Sequence, residues 1–235
     1  MKAIYMERTT DQTEVFNNMA DFSVKSEISQ SWLKEIGFKT IIDIGANEGQ
    51  FTSKMRKLFP NAMVYSFEPI PDVHKKLSSQ FNGDKNFISY NCALGDKDEN
   101  KEINLNEYNP SSSLLKMGEI HKKHFDFARK ETSCPIVVRR LDDLISAESL
   151  SKPVLIKIDV QGFEDHVING GKEVISFCRM IIIEVSFKEL YIGQPLFDDI
   201  YKLLCSMGFK YSGNYEQLIS PDDGSILQAD AIFLK

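Results

Sequence analysis

The chain of 235 residues predicts an α/β domain of the doubly wound, Rossmann-like type, on three observations. An apolar run, Ile41-Ile42-Asp43-Ile44, enters a glycine-punctuated turn, Gly45-Ala46-Asn47-Glu48-Gly49, and then a helical pattern. Strand-like apolar runs alternate with helical stretches along most of the chain, which is the rhythm of a mostly parallel sheet with helices on both faces. The length suits a single globular domain with an ample core. A hydrophobic share of 42% and a charged share of 26% are ordinary globular values and point away from disorder or a fibrous architecture.

The elements follow in order. Residues 14 to 36 read as a helix, because Ile28, Trp32 and Ile36 recur at a four-residue step and Gly37 stands where a C-terminal glycine belongs. Residues 1–39 are thus expected to form an N-terminal helical segment ahead of the main domain at 40–235. A strand over 41–44 leads to a helix near 50–59 that Pro60 stops, and Met63-Val64-Tyr65-Ser66-Phe67 returns as a second strand. A helix over 72–81 precedes Phe87-Ile88-Ser89-Tyr90, a third strand that ends at Asn91-Cys92-Ala93-Leu94. Between 97 and 140 the rhythm breaks and an insertion is expected: Glu102 to Leu105 alternates like an edge strand, followed by a serine-rich turn and a polar, helical stretch. Val154 to Asp159, a helix over 164–177 and Met180 to Glu184 restore the alternation, and both strands are apolar enough to be central. A further helix ends at Met207-Gly208, and Phe209 to Tyr211 and Ala231 to Leu234 supply two last strands around the turn Pro221-Asp222-Asp223-Gly224.

Charge and cysteine usage narrow the function. A net charge of -6 argues against a nucleic-acid partner that needs a phosphate-neutralising face, and the basic run Lys122, Lys123, His124, Arg129, Lys130 reads as solvated surface. Cys92, Cys134, Cys178 and Cys205 are spread without zinc-ligand spacing and read as reduced, mostly buried thiols. The N-terminus has no apolar signal core and no apolar run spans a membrane, so a cytoplasmic protein is expected. Oligomeric state leaves no mark in the sequence.

The glycine turn carries the most chemistry. Its spacing, acid-x-Gly-x-x-x-Gly from Asp43 through Gly45 to Gly49, departs from the dinucleotide fingerprint, which wants glycine where Asn47 and Gln50 stand. That disfavours a pyrophosphate reader and leaves a turn for a nucleoside with an amino-acid tail, S-adenosylmethionine. Gly45 would permit the bend, Gly49 would let the backbone approach the ligand, and Ala46, Asn47 and Phe51 flank them.

Ligands of such sheets bind beyond the carboxyl ends of the strands. There the sequence sets Asp43, to fix the turn or face the cofactor's ammonium, and Glu68-Pro69, one helix and one strand further on, where a carboxylate can accept both ribose hydroxyls. Ala93 and Leu94 would meet the adenine. Lys157-Ile158-Asp159-Val160-Gln161-Gly162-Phe163-Glu164-Asp165-His166 gathers two carboxylates and an imidazole about a glycine, facing the reactive methyl. Orientation can supply roughly 7 to 11 kcal/mol of such a barrier and a base typically about 10² to 10⁴ in rate. Asp159 is the first candidate base, with Glu164, His166 and Glu184 behind it. Asp159 and Glu184 could alternatively share a hard cation, or raise one another's pKa; no metal site is assigned.

With these residues in place, the chain resembles the FkbM family of S-adenosylmethionine-dependent methyltransferases. The likeness runs from about Ile41 to Asn214 through DIGANEG, FEP at Phe67 to Pro69, CALGD at Cys92 to Asp96, SSSL at Ser111 to Leu114, RLDDL at Arg140 to Leu144 and KIDVQGFE at 157–164. The resemblance implies a class I methyltransferase fold with a seven-stranded sheet, and O-methylation of a hydroxyl on a sugar, glycan or secondary metabolite. It also suggests that Ser112 and Ser113 approach the cofactor or acceptor. An N- or carboxyl-directed enzyme, a nicotinamide oxidoreductase and a non-catalytic binding module are the alternatives.

Overall fold

The computed structural model describes residues 31–105, 113–115, 132–220 and 222–235. The chain divides into two units, residues 1–37 and 38–235. Of the helix expected over 14–36, the part before residue 31 lies outside the described residues. Helix α1, Ser31–Ile36, ends as anticipated: Gly37 is left-handed, with φ +66, and its N–H donates to the Lys34 carbonyl at 3.1 Å.

The larger unit is built on strands β1 (Thr40–Ile44), β2 (Met63–Phe67), β3 (Phe87–Tyr90), β7 (Val154–Ile158), β8 (Met180–Ser186), β9 (Lys210–Ile219) and β10 (Ile226–Leu234). They form one seven-stranded sheet in the order β3-β2-β1-β7-β8-β10-β9. The first five run parallel, and β10 enters antiparallel to both β8 and β9. The order reverses between β1 and β7, and ligands of open α/β sheets bind in that crevice. Strands β1 and β7 are buried at every position, as central strands covered on both faces must be. Helices α2 (Gln50–Leu58) and α3 (Pro71–Gln80) are the crossovers from β1 to β2 and from β2 to β3.

The insertion expected over 97–140 forms a second sheet. Strands β4 (Ala93–Leu94), β5 (Glu99–Leu105) and β6 (Thr132–Arg139) pair in the order β4-β6-β5, with β6 parallel to β4 and antiparallel to β5. Pro135 in β6 faces Glu102 of β5, while β4 reaches only Val138 and Arg139. The proline's missing N–H thus falls where, among the described residues, no strand pairs on that side. Ile103 and Ile136 from this sheet pack with Ile70 and Val73, so its inner face closes over the start of α3. The polar stretch over 116–131, with the basic run and its expected helix, lies outside the described residues, as do Ser111 and Ser112.

The helix expected over 164–177 is two helices, α5 (Glu164–Gly170) and α6 (Lys172–Ser176), following the short α4 (Leu141–Leu144). Gly170, at the end of α5, permits a close approach: a Cβ there would lie 1.8 Å from the Gly95 carbonyl oxygen. Asp142 accepts the N–H groups of Glu173 and Val174 at 3.1 and 3.0 Å, which caps α6. Helix α7, Phe197–Ser206, completes the set. All four cysteines are free, Cys92 and Cys178 buried and the other two partly so. Among the described residues no helix is long and apolar enough to cross a membrane.

Candidate functional site

A cavity of about 280 Å³ opens at the carboxyl ends of β1, β2 and β7. Its first wall is the glycine turn. Gly45 takes φ +79, and a Cβ there would sit 1.8 Å from the Asp159 carbonyl oxygen, so the close approach of β1 to the loop after β7 admits glycine alone. The Gly45 and Ala46 N–H groups donate to the Phe67 carbonyl at 3.0 and 2.9 Å, and Asn47 is left-handed with φ +50. Ala46, Asn47 and Phe51 line the cavity.

Gly49 does a different job from the one expected. It is not among the lining residues; at φ +93 its missing side chain leaves room for Phe81 and Leu77, which a Cβ would meet at 2.7 and 2.9 Å. The second glycine therefore serves the packing of α3 against the turn. Asp43 does line the cavity, but its carboxylate accepts the Thr52 hydroxyl at 2.7 Å, and Thr52 also meets Ser66 at 3.0 Å. The brace thus runs through the following helix. Burial pushes the Asp43 pKa up to about 6, against the Thr52 hydroxyl and Lys157.

Glu68 and Pro69 form the next wall. Glu68 is buried, and its two oxygens accept N–H groups from Asn47 at 3.0 Å and Ile70 at 2.8 Å. Each oxygen keeps acceptor capacity toward the cavity. Burial raises its pKa to about 7, against the two N–H bonds. Phe67, stacked on Tyr90 at 4.8 Å, continues an apolar surface to Ala93 and Leu94, and Ile103 and Leu114 extend it from the second sheet and the segment after it.

On the opposite side only Asp159, of the four acid–base candidates, faces the cavity. Glu164 is buried and accepts the N–H of Val160 at 3.1 Å and of Gly162 at 3.2 and 3.1 Å; it tethers the loop and cannot reach an acceptor. His166 stacks on Phe163 at 4.0 Å and pairs with Asp96 at 3.1 Å while half-exposed, and it is not among the residues that line the cavity. Glu184 is held behind the wall by the Gln161 and Gln228 amides, at 2.7 and 3.0 Å. Burial and then the Asp159 charge raise its pKa well above the ordinary carboxylate value. The Gln161 nitrogen also donates to Asp159 at 2.8 Å, so an amide occupies the place considered for a shared cation. Ser113 is buried outside the lining; its hydroxyl donates to the Gln161 carbonyl at 2.5 Å, and its neighbour Leu114 takes the cavity position.

Lys157, Gln161, Asp230 and Tyr191 were not anticipated. Lys157 donates to Asp230 at 2.8 Å and to Asp159 at 3.3 Å. Burial lowers its pKa, but the carboxylates of Asp159, Asp230 and Glu184 outweigh burial and hold it above the usual lysine value. Asp230 faces Glu184 across the β8–β10 ladder, a like-charge pairing that Lys157 offsets. A lysine in the otherwise apolar run Val-Leu-Ile-Lys-Ile was the available signal, since a buried lysine needs partners. Asp230 and Tyr191 lie far along the chain and carry no local signature.

The lining sets Asp43, Glu68 and Asp159 against Lys157, three acids to one base. Such a wall suits a cationic ligand and repels a pyrophosphate. With a buried carboxylate facing an apolar slot, it fits a sulfonium nucleoside.

The chain is similar to several known proteins. The model of the methyltransferase FkbM domain matches residues 43–211. The 2-O-methyltransferase NoeI of Sinorhizobium fredii is 31% identical over 173 residues, which covers 71% of this chain and 71% of NoeI. Methyltransferase 1 of Beauveria bassiana is 25% identical over 142 residues, covering 55% of this chain and 57% of that protein. The solved methyltransferase domain of bacterial CtHen1 aligns at a TM-score of 0.47 and 11% identity, covering 90% of this chain and 97% of that one.

Proposed function

Since the chain belongs to the methyltransferase FkbM family, it is a methyltransferase that uses S-adenosylmethionine, and we propose that its acceptor is a hydroxyl on a sugar, a glycan or a secondary metabolite. The observation that carries this reading is the placement of Glu68 and Asp159 on the walls of one cavity. Glu68 accepts the two ribose hydroxyls with the lone pairs its backbone partners leave free. The turn at Gly45, Ala46 and Asn47 borders the amino-acid tail, and Asp43 at its base supplies negative charge toward the ammonium. Pro69, Ala93 and Leu94 flank the adenine, with Phe51 at the rim.

The bound cofactor supplies a methyl group already activated on a sulfonium centre. The protein's task is to hold an acceptor oxygen in line, which is the larger share of the barrier, and to take its proton. We assign the second task to Asp159, whose carboxylate becomes neutral on taking the proton as the sulfonium loses its charge, so the net charge of the site is unchanged by the transfer. An amine would need that help less, so the presence of Asp159 supports a hydroxyl acceptor. The name of NoeI, a 2-O-methyltransferase, supports it too.

The test is methyl transfer from labelled S-adenosylmethionine into glycans and small metabolites extracted from cells lacking the gene, with mass spectrometry of the products. The expected product is a new methyl ether, and Asp159→Asn should lower its rate by about 10² to 10⁴. Near-full turnover by that variant would instead favour an amine or carboxylate acceptor.

A further inference from the structure

Gln161 draws four segments of the molecule together. Its side-chain nitrogen donates to Asp159 Oδ1 at 2.8 Å and to Glu184 Oε2 at 2.7 Å, its side-chain oxygen accepts the Tyr191 hydroxyl at 2.8 Å, and its carbonyl accepts Ser113. The backbone is left-handed there, with φ +57. For a residue with a side chain that conformation is strained and persists only when the surroundings enforce it. Gln161 also lines the cavity.

We propose that Gln161 is a positioning residue for the transfer step: its amide fixes Asp159 through Oδ1, turns Oδ2 to the acceptor, and keeps Asp159 and Glu184 from sharing a proton. This rests on the reading of Asp159 as the proton acceptor. Oδ2 keeps a 3.3 Å contact with Lys157, longer than the amide bond on Oδ1, and so is the freer oxygen. Without the amide, Asp159 and Glu184 would stand unbridged among a mixed set of charges. Lys157 and Asp230 press on them from β7 and β10, and Glu164, Tyr191 and Asp43 from the start of α5, the segment after β8 and β1. Two acids left in that state compete for one proton.

Two variants test this, with Asp159→Asn as the reference. Gln161→Gly removes the amide while suiting the left-handed backbone. Gln161→Glu keeps the length and can donate only when protonated. The readouts are the pH profile of methyl transfer from labelled S-adenosylmethionine into the extract described above, the affinity for S-adenosylhomocysteine by calorimetry, and the melting temperature. Gln161→Gly should bind the homocysteine nucleoside within threefold of the parent and transfer at least tenfold more slowly at neutral pH. Its acid limb should move to higher pH. Gln161→Glu should lose about tenfold more activity at pH 8 than at pH 6, relative to the parent, and it carries the test if the glycine variant does not fold. Unmoved profiles in both variants beside an inactive Asp159→Asn would overturn the role of Gln161 and leave the base assignment standing. A fully active Asp159→Asn would overturn that assignment itself.

Discussion

Replacing Glu68 by glutamine separates what the carboxylate does for the ligand from what it costs the fold. Burial lifts its pKa from 4.5 to about 7, and at 1.36 kcal/mol per unit this corresponds to about 3 kcal/mol. Because the folded pKa is the higher one, the folded protein holds a proton that the unfolded chain releases between about pH 4.5 and pH 7. Stability contributed there is present at low pH and lost as pH rises through 7. Glu68→Gln removes that slope. At pH 8 the variant escapes the charge-burial cost but leaves either Asn47 or Ile70 with an N–H facing an amide NH₂, a loss of about 1 to 3 kcal/mol. The two effects nearly cancel. At pH 5 only the loss remains, so the variant should be less stable than the parent by about 1 to 3 kcal/mol there and close to it at pH 8. Urea unfolding at both pH values measures this. Cofactor binding should suffer at pH 8, where the carboxylate is ionised: one charge-assisted bond to ribose disappears and the other weakens, at about 2 to 3 kcal/mol, or roughly 30- to 150-fold. Calorimetry with S-adenosylhomocysteine reads that factor. An affinity within threefold of the parent would refute the ribose role, and an unchanged difference in stability between pH 5 and pH 8 would refute the buried, titrating carboxylate.

Three further outcomes follow from the geometry. Gly45→Ala, whose Cβ would lie 1.8 Å from a backbone oxygen at φ +79, should cost about 3 kcal/mol or more and lower the melting temperature steeply; a wild-type melt would show that β1 and β7 do not approach so closely. His166→Ala should keep transfer within about twofold, because the ring pairs with Asp96, stacks on Phe163 and does not line the cavity, and exposed pairs of this kind contribute little; a hundredfold loss would return the imidazole to the reaction. Dialysis against EDTA should leave turnover unchanged, since the Gln161 amide bridges Asp159 and Glu184; activity restored by added magnesium would contradict that bridge.

Local patterns were legible where one segment decides its own fate. The strands at 63–67 and 87–90, the helix after Gly49 and the central position of the runs at 154 and 180 follow from apolar runs and punctuation alone. So do the walls at Gly45, Glu68 and Leu94, because a strand end fixes which residues reach the crevice. What escaped depends on contacts distant in sequence. Gly49 is a glycine because Phe81 fills the space above it, and nothing in DIGANEG names that ring. Glu164 and His166 share a stretch with Asp159, yet the helix they begin turns one inward onto loop N–H groups and the other outward to Asp96. Strand β6 carries Pro135, which is tolerable only because β4 is too short to pair beside it.

The measurement closest to the central claim is a crystal structure of the protein soaked with S-adenosylhomocysteine. The nucleoside should lie in the cavity between Gly45 and Leu94, with both ribose hydroxyls on the Glu68 carboxylate and its sulfur on the Asp159 side. A cavity that stays empty at saturating ligand, or a nucleoside seated away from Glu68, would contradict it.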